Sequence, residues 1–131
     1  MNSYLLDSTI LIDLINNRRD RRKHIEEITA SGGMLACSVV SLAEIYAGIR
    51  PNEEVLTNRL LSSLVQYEVT SAIARRAGYL KNALAEQGTT MLLSDALIAA
   101  TAIESRLILV SDNARHFPMP ELKLYPLPQN Y

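Results

Sequence analysis

The sequence predicts an α/β domain in which a parallel sheet lies between layers of helices. Three observations carry this. Short apolar runs suited to strands, at residues 3–6, 34–37 and 107–110, alternate with stretches of helical spacing. The run Leu107-Ile108-Leu109-Val110 is unbroken, as a strand covered on both faces requires. Helix-capping side chains follow the first run directly, in Asp7-Ser8-Thr9.

Each element has its own warrant. Ser3-Tyr4-Leu5-Leu6 is a buried strand, and residues 9–16 form a helix with Ile10, Leu11, Leu14 and Ile15 on one face. A second helix follows the polar stretch from Asn16 to Lys23, runs to Ala30 and stops at Gly32-Gly33. Met34 to Cys37 is the second strand. Ser38 or Ser41 caps a helix carrying Leu42, Ile45 and Ile49, which breaks at Arg50-Pro51. Pro51 suits the first turn of a further helix, with Glu53 and Glu54 where the dipole favours negative charge. Gln66 to Val69 is a short edge strand, and Thr70 caps a long helix striped by Ile73, Ala77, Leu80 and Leu84 up to Gly88. Ser94-Asp95 opens a helix rich in alanine. Leu122 to Tyr125 is a last strand, ended by Pro126 and Pro128.

Length and composition bound the rest. A chain of 131 residues is one domain, 1–131, large enough to bury roughly two-thirds of its surface. With 48% hydrophobic and 21% charged residues it is an ordinary globular chain. The single cysteine, Cys37, excludes an intramolecular disulfide and is expected to be a small buried hydrophobe, so a reducing, cytoplasmic setting is expected. The start lacks a basic segment, and no apolar run reaches membrane-spanning length, which predicts neither a signal peptide nor a membrane role. A net charge of −1 leaves nucleic-acid contact to local patches, and the scarcity of aromatics argues against a stacking platform for single strands.

In such sheets ligands bind beyond the carboxyl ends of strands, where strand order reverses. Two predicted strands deliver carboxylates there: the first leads into Asp7, the run at 107–110 into Ser111-Asp112-Asn113. Asp95 opens a helix, and Glu44 interrupts an apolar helical segment. Four carboxylates brought to one edge would repel one another and resist desolvation. A hard divalent cation relieves both, since Mg²⁺ takes carboxylate and water oxygens. It also acidifies water and neutralises a phosphodiester for in-line attack. Singly, each acid has a plainer reading. Asp7 and Asp95 suit helix N-termini, Glu44 completes a Ser-x-x-Glu capping box with Ser41, and Asp112 forms a turn.

Four segments together resemble the blocks of PIN-domain ribonucleases, above all the VapC-type toxins of toxin–antitoxin pairs. They are Leu5-Leu6-Asp7-Ser8-Thr9-Ile10-Leu11-Ile12-Asp13, Ser38-Val39-Val40-Ser41-Leu42-Ala43-Glu44, Asp95-Ala96-Leu97-Ile98-Ala99-Ala100 and Leu109-Val110-Ser111-Asp112-Asn113-Ala114-Arg115-His116-Phe117. They stand in the family's order and spacing across nearly the whole chain. The resemblance implies a three-layer fold with a five-stranded parallel sheet of order 3-2-1-4-5. It implies an endoribonuclease dependent on Mg²⁺ or Mn²⁺, acting on RNA, forming a homodimer and held inactive by a cognate antitoxin. Residue by residue, Asp7, Glu44 and Asp95 match the three acidic metal-holding positions, and Ser8 and Thr9 match the small supporting positions after the first Asp. Aligned on His116-Phe117, Asn113 falls at the fourth acidic position with Asp112 one residue earlier. That is a departure from the family pattern, and the pair is expected to share the role.

Other features weigh less. Arg18, Arg19, Arg21, Arg22 and Lys23 form either a phosphate-contacting patch or a solvated loop and helix start. Arg75, Arg76 and Lys81 fit a solvated helix face. Asp13, six residues after Asp7, points away from it by helical geometry and is expected at the surface. His24 and His116 are too scattered for a triad or zinc site, and His116 is expected to cap or pack near Phe117. The chain lacks a P-loop, a Gly-x-Gly turn and the Asp-x-Asp of haloacid-dehalogenase-like phosphatases, since position 9 is Thr. A phosphoacceptor receiver domain shares the layout, but Lys123 is poorly placed for it. The competing class is a catalytically weak PIN-like module that binds RNA or protein through the same acidic groove.

Overall fold

The central strand follows from three consecutive buried residues. In the computed structural model, which describes residues 2–127, β1 (Ser3–Leu6) buries Tyr4, Leu5 and Leu6. Alternation sends Leu5 into one core and Tyr4 and Leu6 into the other, as period-two geometry demands. β1 pairs in parallel with β2 (Met34–Ser38), Leu5 opposite Ala36, and with β4 (Ile108–Val110), Leu5 opposite Leu109. β3 (Val65–Tyr67) adds to β2, giving the order β3-β2-β1-β4.

Helices cover both faces. α1 (Ser8–Ile15), α2 (Arg21–Ala30) and α4 (Glu54–Ser62) enclose the core of Tyr4, Leu6, Ile10, Leu11, Ile28, Leu61 and Val110. α5 (Ser71–Glu86) and α6 (Leu93–Glu104) enclose the core of Leu5, Leu109 and Phe117. Between them the alanines 77, 96, 99 and 100, all fully buried, permit close packing of helix backbones. α3 (Val39–Ala47) leads out of β2 and ends at Gly48, before the Arg50-Pro51 break. Gly33 is required by close approach: a Cβ there would sit 2.7 Å from the Tyr4 ring and 2.8 Å from Ile28. No helix among the described residues is long and apolar enough to cross a membrane.

Four expectations need correction. The sheet has four strands among the described residues, not five. The segment expected as the fifth, 122–125, makes a single parallel bridge, Leu124 opposite Leu109, through Leu109 N to Lys123 O (2.9 Å) and Tyr125 N to Leu109 O (2.8 Å). Pro126 follows at once and has no N–H to extend the ladder; Pro128 lies outside the described residues. α6 begins one residue before Ser94, after Leu92, with no side-chain cap. β3 lies at Val65–Tyr67, not 66–69. α2 starts at Arg21, within the cationic run.

Candidate active site

Asp7 stands at the point where the sheet's strand order reverses. Its backbone N–H still donates to Val110 O (3.0 Å), carrying the β1–β4 ladder one residue past the strand. Its carboxylate then caps α1, Oδ1 accepting from Ser8 N (2.8 Å), while Oδ2 accepts from Ser111 Oγ (2.7 Å) just beyond β4. At 4% exposure the side chain is buried. Burial pushes its pKa up to about 6 against the lowering effect of the Ser111 and Ser8 hydrogen bonds, and the charges of Asp95 and Asp112 push the same way.

Glu44 reaches the same edge from α3. Ser38, fully buried at the end of β2, caps that helix by accepting from Val40 N (3.0 Å). The cap sets the helix phase so that Ser41 and Glu44, three residues apart, both face Ser8 on α1. Ser8 Oγ donates to Glu44 Oε1 (2.7 Å) and shares a 2.8 Å hydrogen bond with Ser41 Oγ. The capping box of Ser41 with Glu44 is therefore overturned: Ser41 lies inside the helix and Glu44 is held from another one.

Asp95 arrives in the first turn of α6. Its pKa is raised, first by burial and further by the charge of Glu44, with His116 opposing. His116 Nδ1 lies 3.9 Å from Asp95 Oδ2, so the exposed His116 faces the carboxylate. A cavity of 140 Å³, lined by residues 89–92, Asp95, Arg115 and His116, opens beside it. Lys81 is not simply solvated. Its ammonium donates to Met91 O and ties α5 to that loop.

Asp112 turns toward the helices. Oδ1 accepts from Thr9 Oγ1 (3.0 Å) and Oδ2 from Arg21 Nη2 (2.8 Å). Asn113 is half-buried beside it, its N–H donating to Ser111 Oγ (3.1 Å). The same Arg21 donates through Nε to Asp13 Oδ2 (3.1 Å), and Arg19 Nη1 holds Asp13 Oδ1 (2.9 Å). Asp13 is thus 4% exposed, not at the surface, and Arg21 is 1% exposed, neither solvated nor open to phosphate. The cause lies in the chain reversal at 17–20, which folds the arginines back over Asp13. Arg18, Arg19, Arg22 and Lys23 remain exposed.

The interactions form a chain: Asp7 senses Asp95 and Asp112, and Asp95 senses Glu44. All four predicted acids therefore meet at one edge, with Ser8 and Thr9 holding Glu44 and Asp112. Sequence reasoning missed Ser111, Ser41 and Arg21. Ser111 had a signal, a hydroxyl directly after a buried strand, whereas Arg21 was hidden among four other cations. Among the described residues, no three His, Cys, Asp or Glu side chains already enclose a point as ligands. Their chemistry still suits a hard cation. Asp7 and Glu44 are held by hydroxyls and an amide, Asp95 has the His116 ring 3.9 Å away, and Mg²⁺ keeps several waters beside one or two carboxylates.

Comparison with known proteins fits this geometry. The family model described as PIN domain matches residues 4–120. The chain is 38% identical to Ribonuclease VapC10 of Mycobacterium tuberculosis over 117 residues, covering 89% of this chain and 87% of that protein. It is 31% identical to Ribonuclease VapC2 of Haemophilus influenzae over 122 residues, 89% of this chain and 91% of that protein. Among solved structures, VapBC2 from Rickettsia felis bound to a promoter DNA fragment superposes with a TM-score of 0.83 at 26% identity, covering 94% of this chain and 97% of that one. A toxin–antitoxin complex from Klebsiella pneumoniae gives 0.76 at 30% identity, covering 91% and 94%. The chain belongs to the PIN-domain family, among the VapC ribonucleases.

Proposed function

We propose that this chain is an endoribonuclease, the toxin of a VapBC-type toxin–antitoxin pair, acting in the cytoplasm as a homodimer of single-domain subunits and depending on Mg²⁺ or Mn²⁺. The observation that carries the reading is Asp7. It is a buried carboxylate raised to about 6, at the sheet's switch point, in Coulombic contact with acids from two other elements. Such a group is unfavourable in the free protein and becomes favourable when a cation joins it.

Asp7, Glu44 and Asp95 would hold the ion directly, with Asp112 and Asn113 sharing the fourth acidic position and supporting it through water. When bound, the ion supplies Lewis acidity toward the phosphodiester and toward water. The chain's own residues do the rest. Ser111 and the Ser8 amide fix the two oxygens of Asp7, and Ser8 Oγ fixes Glu44. Arg115 and His116 flank the cavity beside Asp95, where a phosphate of the RNA would meet positive charge.

The antitoxin has a matching surface. A largely apolar cleft of 540 Å³ lies between α1, α2 and α4, with Leu14, Ile15, Ile25, Leu56 and Leu60 in its walls and Arg22, Glu26 and Arg59 at its rim. An amphipathic helix of the partner, apolar face inward, fits such a groove. The structural neighbours solved as VapBC2 and as a toxin–antitoxin complex support an antitoxin partner.

RNA cleavage measured with and without EDTA, for wild type and Asp95→Asn, tests the function. Cleavage should vanish with EDTA and fall at least about 100-fold in the variant, with the far-UV spectrum unchanged. Cleavage that survives EDTA in a clean preparation overturns the metal-dependent reading.

A further inference from the structure

We propose that Arg21 is a positioning residue that builds a permanent positive charge into this centre. It holds Asp112 out of direct coordination, so that a single divalent ion binds on Asp7, Glu44 and Asp95. The inference deepens the reading above and rests on it.

The geometry is specific. The guanidinium is 1% exposed and spans two carboxylates, Asp13 at 3.1 Å and Asp112 at 2.8 Å. A guanidinium keeps its proton at any working pH, so its burial places a charge that cannot be switched off. Thr9 takes the other oxygen of Asp112, and both contacts draw the carboxylate toward α1 and α2. Asp13 has Arg19 as a second cation at 2.9 Å, so two arginines face two aspartates and Asp112 is matched. The arginine ion pairs fall on Asp13, Asp112 and Glu104.

The backbone shows that Arg21 is set by the fold. Asn17, Arg19 and Asp20 adopt φ of 52°, 55° and 53°, the left-handed region that disfavours residues other than glycine. Such strain persists only where surrounding contacts over-determine it. Those contacts are on Asp13: Arg18 N donates to its carbonyl (2.8 Å), and Arg19 and Arg21 donate to its carboxylate. The strained turn and the buried ion network therefore hold one another, and Asp112 is held with them.

Mn²⁺ titration, followed by the electron-paramagnetic-resonance signal of the free ion and by calorimetry, tests this on wild type, Arg21→Gln, Asp112→Asn and the double variant. Wild type should bind one Mn²⁺ per chain. Arg21→Gln, which removes a positive charge beside Asp112, should tighten binding about tenfold, and Asp112→Asn, which removes a negative charge beside Arg21, should weaken it similarly. Removing both charges should bring affinity back toward the wild-type value. A double variant that stays as weak as Asp112→Asn identifies Asp112 as a ligand and overturns the inference. Two ions in wild type overturn it as well, and this count needs no variant to fold. Absence of Mn²⁺ binding in wild type overturns the metal-dependent reading itself, and the Arg21 inference with it.

Discussion

Asp7 and Asp13 sit at opposite ends of one helix, each 4% exposed, and their surroundings are opposite. Asp13 is embraced by two arginines within 3.1 Å. Asp7 has a serine hydroxyl and a backbone amide, with two further carboxylates close enough to push its pKa up. A buried carboxylate matched by guanidinium is a component of the architecture, because its charge is already balanced. One matched only by neutral donors keeps an electrostatic deficit that a cation from outside can fill. Residue type and burial alone do not distinguish the two; the donors around them do.

The comparison can be broken at either aspartate. The largest effect is expected from Asp13→Ala, which removes one of the two carboxylates that the buried Arg21 guanidinium spans. Losing one partner of a buried ion network costs about 3–5 kcal/mol, a fall of roughly 10–20 °C in a thermal melt. A variant melting like wild type would show that Asp13 is not architectural. Asp7→Asn should do the reverse. Without divalent ion at pH 7 it should raise stability by up to about 3 kcal/mol, from a pKa of 3.8 moved to about 6, while removing ion binding and cleavage. Asn keeps the helix cap, so the gain should not be masked.

The pH dependence sharpens the same contrast. Folded Asp7 holds its proton more tightly than the unfolded chain does, so its contribution is fully present below 3.8 and is lost as pH rises through about 6. Asp95, also raised by burial, acts in the same direction. Ion-free wild type should therefore gain about 1 kcal/mol from Asp7 on going from pH 7 to pH 5, and Asp7→Asn should lose that gain. Equal slopes in the two proteins would sink the assignment. The smallest effect belongs to Arg19→Ala. That side chain is 48% exposed, and its pairing should be worth no more than about 1 kcal/mol, with Arg21 still in place on Asp13.

Much of the fold was legible along the chain. Three of the four strands announce themselves as apolar runs, and Asp7, Ser38 and Thr70 announce their helices as caps because capping is a local bond between near neighbours. The last strand was over-read. Its apolar residues are present, but Pro126 ends the ladder after one bridge. The acids Asp7, Glu44 and Asp95 were visible as blocks in order, and the fold sets Asp95 within electrostatic reach of both Asp7 and Glu44.

Sequence by itself determined the elements, the direction of the sheet and the acids that meet at its edge. These follow from periodicity, caps and strand ends, all of which act over a few residues. Only the tertiary structure decided that Asp13 is buried, that Arg21 leaves the cationic run to enter the interior, and that Asp112 faces it. Those outcomes depend on a turn through left-handed backbone and on a contact 91 residues apart in the chain, and no local pattern encodes which of five neighbouring cations will be enclosed.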